Sequence, residues 1–213
     1  YTWYVDNVSI GQGASKSYTF TKKGTYKVKV SVSDGTATVT STEYTVTVPN
    51  QLPVIGTVTV PSTGTVGTAV TFSATATDAD GDTLTYTWFA GTTQIGTGSS
   101  INWTPTTGGT YSITVRVSDG TVTVTSTAKN ISVNTKPTVT NITVSPSAPQ
   151  TGQTVTLTAV ASDADNDTLI YEWYIQNVKQ TGTGSSITWV PSSAATYTIE
   201  VRVSDGKITT PVS

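Results

Sequence analysis

The chain has 213 residues, 13 acidic and 11 basic side chains, a net charge of −2, and no Cys, Met or His. Scattered lysines leave no electrostatic footprint for nucleic acid, and no apolar run approaches the ~18 residues of a membrane span. The missing Cys and His exclude disulfide scaffolds, thiolate zinc sites, cysteine nucleophiles and the commonest general base.

The chain opens on Tyr1-Thr2-Trp3, which reads as the middle of a strand. With no Met and no signal peptide ahead of it, the expectation is a processed fragment or a window on a longer protein. A corner, Gly24-Thr25-Tyr26, follows, then an alternating stretch that ends in Val32-Ser33-Asp34-Gly35, and a further strand over residues 43–48. The linker Val48-Pro49-Asn50-Gln51-Leu52-Pro53 closes this part. Beyond it, turn signals stand at residues 61–64, at Gly108-Gly109 and at Asp119-Gly120. Val70, Phe72, Ala74 and Ala76 alternate with polar residues, as do Leu84, Tyr86 and Trp88, and residues 111–117 put Ile113, Val115 and Val117 on one face. Asn134-Thr135-Lys136-Pro137 is the second linker, and residues 136–213 run through the same series again.

The series is a repeat. Tyr1-Thr2-Trp3 returns as Tyr86-Thr87-Trp88 and Tyr171-Glu172-Trp173, each 85 residues on. Val32-Ser33-Asp34-Gly35 returns as Val117-Ser118-Asp119-Gly120 and Val203-Ser204-Asp205-Gly206. The corner returns as Gly109-Thr110-Tyr111 and Ala195-Thr196-Tyr197, and Asp78-Ala79-Asp80-Gly81-Asp82 matches Asp163-Ala164-Asp165-Asn166-Asp167. A period of 85 is too long for a solenoid and suits one small sandwich. The fold expected is all-β, a tandem of antiparallel Ig-like sandwiches, divided as a partial copy over 1–49, a complete copy over 52–134 and a nearly complete copy, without its last strand, over 136–213. Trp88 is the expected core anchor, and Tyr111 the expected tyrosine corner, its ring buried and its hydroxyl bonded to backbone.

Residues 17–28 and 111–120 resemble the second half of PKD domains, Ig-like sandwiches found in tandem on cell-surface proteins and in secreted microbial enzymes. The family's Trp-Asp-Phe-Gly-Asp-Gly stretch is here Trp3-Tyr4-Val5-Asp6-Asn7, Trp88-Phe89-Ala90-Gly91-Thr92 and Trp173-Tyr174-Ile175-Gln176-Asn177, with only the Trp kept in all three.

Nine of the ten Asp residues lie in the two Asp-Ala-Asp-x-Asp motifs or the three Asp-Gly turns. In an Ig-like sandwich these loops share a pole with the incoming linker, which brings Asn50 or Asn134. Asp78, Asp80, Asp82 and Asp119 are therefore expected to converge, as are Asp163, Asp165, Asp167 and Asp205. Hard oxygen ligands so placed suit Ca²⁺; plain Asx-turn chemistry is the alternative. Paired carboxylates also raise glycoside hydrolysis, but the three Glu (Glu43, Glu172, Glu200) stand at non-equivalent positions and no Ser is backed by a His. Tyr4, Phe89 and Tyr174 should lie on an outer sheet face near Lys29, Arg116 and Arg202, either as cross-strand packing or as a platform for sugar or a neighbouring chain. Asn7, Asn102, Asn130, Asn141 and Asn166 are Asn-x-Ser/Thr glycosylation candidates, and at Asn166 this reading competes with calcium.

The expected function is non-catalytic and extracellular: a rod of repeats in a surface layer, stalk, adhesin or filament. The expected partners are neighbouring repeats or copies of the same protein, with polysaccharide as a further candidate. The alternatives are an accessory substrate-binding module of a secreted hydrolase and a virion fibre module.

Overall fold

A computed structural model of the protein describes residues 1–212. All regular structure among them is β-strand, and no helix is long and apolar enough to cross a membrane. The described residues form two compact units: residues 1–59, 72–101 and 113–128 make the first, and residues 60–71, 102–112 and 129–212 the second.

In the first unit, β1 (Thr2–Val5), β2 (Val8–Gln12), β3 (Gly24–Ser33), β4 (Thr38–Thr40) and β5 (Tyr44–Val48) form one sheet of order β2-β1-β3-β4. The long β3 takes β5 along its first half and β4 along its second. The β1–β2 hairpin turns at Asp6 and Asn7, both at positive φ (46° and 67°), as a two-residue turn requires. The same unit holds β6 (Val54–Thr59) against β8 (Val70–Thr77), with β7 (Thr63–Thr65) between them in the chain. It also holds β9 (Thr85–Ala90) paired with β10 (Thr93–Thr97). After β11 (Ser100–Trp103), β12 (Gly109–Ser118) pairs with β9 and with β13 (Thr123–Thr125). Strict alternation on β12 buries Ile113, Val115 and Val117 completely and leaves Arg116 exposed. Phe72 and Trp88, both fully buried, meet at 5.8 Å between ring centroids.

In the second unit β7 pairs in parallel with β14 (Lys129–Asn134). The sequence marks residues 61–64 as a turn; the backbone already runs as strand from Thr63, because a partner about 70 residues away supplies the ladder that Thr-Gly-Thr alone would not specify. One sheet contains β15 (Thr138–Ser145), β16 (Val155–Ser162) and β19 (Ser186–Trp189). The other contains β18 (Val178–Lys179), β17 (Ile170–Ile175), β20 (Ile199–Ser204) and β21 (Thr209–Val212). Val155, Leu157, Ala159, Trp173, Ile175, Ile187, Val201 and Val203 fill the core between them.

The repeat carries its register with it. Trp3 pairs with Val30, Trp88 with Val115 and Trp173 with Val201. Each indole N–H donates to a glycine carbonyl, Gly13, Gly98 or Gly184, at 3.0 Å. Each corner tyrosine donates its hydroxyl to the carbonyl four residues earlier: Tyr26 to Lys22, Tyr111 to Thr107, Tyr197 to Ser193. The Tyr111 ring is half-buried rather than buried: near the start of β12 it packs edge-on against Trp103, and part of it stays open to solvent.

Candidate functional site

The Asp-Gly turns are built alike. In each, one carboxylate oxygen accepts two backbone N–H groups: Asp34 from Thr36 and Ala37, Asp119 from Thr121 and Val122, Asp205 from Lys207 and Ile208. This is Asx-turn chemistry. Asp34 does nothing further and stays exposed. Asp119 and Asp205, each 8% exposed, also accept an amide N–H from a linker, Asn50 at 2.8 Å and Asn134 at 2.6 Å. The Val122 N–H first, and then Asn50, hold the Asp119 carboxyl down at about 2. At Asp205 burial pushes the other way, yet Asn134 and the turn amides win and the carboxyl lies below its ordinary value.

Each Asp triplet coils round its first member. Asp78 Oδ1 accepts the N–H groups of Asp80 (2.9 Å) and Asp82 (3.3 Å), and Asp163 Oδ1 those of Asp165 (2.8 Å) and Asp167 (3.3 Å). The middle Asp reaches out to backbone: Asp80 accepts from Lys23 N (3.1 Å) and Gln51 N (2.7 Å), and Asp165 accepts from Thr135 N. Asp78, Asp80 and Asp82 place one oxygen each within 4.8 Å of one another, and so do Asp163, Asp167 and Asp205. Of each four expected to converge, three do: Asp119 stays out of the first group and is linked to it through Asn50 and Lys23, and Asp165 stays out of the second and turns to the linker.

Each cluster also holds an ammonium. Lys23 Nζ stands 2.8 Å from Asp82 Oδ2, donates to Asn50 Oδ1 at 2.7 Å and to Thr121 Oγ1 at 3.0 Å. Lys207 Nζ stands 2.8 Å from Asp167 Oδ2 and 3.0 Å from Asn134 Oδ1. Contact with the carboxylate raises the pKa of both lysines. Asp78 Oδ2 and Asp163 Oδ2 are buried without a hydrogen-bond partner. The lysines were invisible to motif reading. The signal for them is a swap between aligned positions: Lys23 against Gly108, and Thr121 against Lys207.

The remaining candidates are plainly placed. Arg116 lies over the Phe89 ring at 4.4 Å and Arg202 over Tyr174 at 4.3 Å, so two of the three outer aromatics are covered by guanidinium. Tyr4 pairs directly with Lys29 across β1 and β3. Each Glu is paired: Glu43 with Lys29, Glu172 with Lys179 and Glu200 with Arg202. The hydrogen bond from Lys179 holds the Glu172 carboxyl below its usual range, the reverse of what a general acid needs. Asn7, Asn102, Asn130, Asn141 and Asn166 are all exposed. A cleft of about 430 Å³ beside Lys207, walled by Thr63, Thr65, Val70, Ser132 and Asn134, has that lysine as its single titratable group.

Residues 50–131 match the bacterial Ig domain family and residues 141–208 the PKD domain family. The chain is a tandem of Ig-like and PKD-type sandwich repeats. These Ig-like repeats are 34% identical over 122 residues to the highly immunogenic outer capsid protein of Enterobacteria phage T4, a match over 51% of this chain and 32% of that protein. The chain thus covers about a third of that relative's length. Among solved structures, three consecutive Ig domains of titin share the fold at a TM-score of 0.52 and 12% identity, over 99% of this chain and 84% of that one. The eight N-terminal Ig domains of the Down Syndrome Cell Adhesion Molecule do so at 0.52 and 13%, over 100% of this chain and 37% of that one.

Proposed function

We propose that these repeats are a non-catalytic structural module displayed on an outer surface, with copies bounded at 1–49, 52–134 and 136–213. The observation that carries the reading is the 34% identity to a phage outer capsid protein, which favours a virion surface over a cell envelope. The chemistry agrees with it. Apart from Asp78 Oδ2 and Asp163 Oδ2, the acidic groups at the two clusters are engaged by turns, linkers and lysines, the three Glu are paired with cations, and the cleft beside Lys207 offers no acid–base pair. The rod expected from short proline-bearing linkers belongs to the same reading, and small-angle scattering of the chain should give an elongated particle.

Antibodies raised against the recombinant chain should decorate intact particles or cell envelopes in electron micrographs. Signal confined to the soluble interior of cells would sink the proposal. Polysaccharide as a partner is less favoured, because Arg116 and Arg202 cover the aromatic faces a sugar would stack on. Calorimetric titration with soluble polysaccharides should give no heat of binding, and saturable binding would favour the accessory module of a hydrolase.

Calcium at the triplets is a second reading, favoured by Asp78 Oδ2 and Asp163 Oδ2, which are buried and without hydrogen-bond partners. The ion would compete with the lysine for the third Asp of each triplet. Unfolding that shifts upward with millimolar Ca²⁺ and returns with a chelator would establish it. Mass spectrometry of the secreted chain would show whether the five exposed sequons carry glycan.

A further inference from the structure

We propose that one lysine at each linker, supplied from one side or the other, decides which of these repeats can follow one another. In the first linker the ammonium comes from the corner of the preceding copy, Lys23, and the turn of the following copy offers Thr121. In the second, the aligned corner residue is Gly108 and the aligned turn residue is Lys207. The ammonium nevertheless finds the same two acceptors, the linker Asn Oδ1 and the third Asp of the triplet. Lys and Thr at one linker have become Gly and Lys at the other.

The two solutions exclude each other. A Cβ at Gly108 would stand 2.2 Å from Asp165 Oδ1 and 2.4 Å from Thr135 Oγ1, so a lysine there would displace the two side chains that hold this joint. Two lysines at one linker would bring like charges to a single set of acceptors. With none, three carboxylates within 4.8 Å of one another lose their cation. A lysine-bearing corner therefore takes a successor with Thr after Asp-Gly, and a small corner residue takes a successor with Lys there. Thr36 fits a lysine-bearing corner and Ala194 fits a lysine-bearing turn. The rule holds wherever the chain is displayed and stands or falls apart from the surface role.

Compensation in the full chain tests it, with melting and amide exchange as readouts. Lys23→Gly, or Lys23→Met, which keeps the stem and removes the charge, should lower the first unfolding transition by roughly 2 °C, since the pair is partly exposed. The same change should quicken exchange at the two amides held by Asp80, those of residue 23 and Gln51. Thr121→Lys alone should do likewise by crowding two cations. Lys23→Gly combined with Thr121→Lys should restore both readouts. Lys207→Thr should mirror the first loss, and Gly108→Lys should fail to rescue it. A double variant at the first linker that shows only the sum of the two single losses overturns the proposal. So does a wild-type transition that climbs with millimolar Ca²⁺, because the metal would then hold the position assigned to lysine.

Discussion

Trp3 and Trp88 lie in the same compact unit, at equivalent places in two copies of one repeat, and differ in surroundings. Both pair with a valine across the sheet, and both donate the indole N–H to a glycine carbonyl ten residues on at 3.0 Å. Trp88 is fully buried against Phe72, whereas Trp3 is half-buried. The hydrogen bond is thus a property of the hairpin and survives without full burial. Burial comes from the residues packed across the sheet, which the hairpin does not encode. Asp34 and Asp119 repeat the lesson for charge: the turn is the same, and only Asp119 has a linker asparagine added to it.

Truncation should separate the two tryptophans most. Trp88→Ala should cost about 3–5 kcal/mol by calorimetry and Trp3→Ala about 1–2 kcal/mol; equal losses would break the comparison and with it the core assignment. Tyr111→Phe and Tyr26→Phe should each cost about 1 kcal/mol, because both remove the same corner bond over the same four residues. A large gap between them would show that tertiary packing, not the corner, sets the value.

Acid should then sharpen the pair of turns. With its folded pKa depressed to about 2, Asp119 contributes stability that is complete above its unfolded value of roughly 4. That contribution drains away as pH falls from there towards 2. Asp119→Asn should flatten the melting profile across that window. Asp34, lowered by its turn amides alone, should give the same sign with a smaller slope. The least effect is expected at Arg116→Ala, about 0.5 kcal/mol from the lost contact with Phe89.

The sandwich was legible because period-two alternation, Asp-Gly turns and the recurring Trp and Tyr are local signals, and each lands where the 85-residue spacing puts it. The strand at Thr63–Thr65 was not, since its sequence reads as a turn and its ladder depends on β14. At the clusters, the Asp residues and the linker asparagines were visible as types, and the meeting of three of each four Asp followed from the pole they share, but which three did not. The ammonium was hidden because it comes from corner residue 23 in one place and turn residue 207 in the other. No single-position pattern contains it; only the pair of positions does.

The lysine at each cluster is covalently part of the chain. A bound ion obeys mass action, so its occupancy follows the concentration outside, whereas an ammonium tethered to its carboxylate follows none. Dilution does not remove it, and a chelator does not compete for it. What does reach it is ionic strength, which screens a half-exposed pair within a Debye length of roughly 8–10 Å in ordinary saline. The other route is chemistry on the amine itself: acetylating Lys23 or Lys207 would erase the charge while leaving the fold of each sandwich in place.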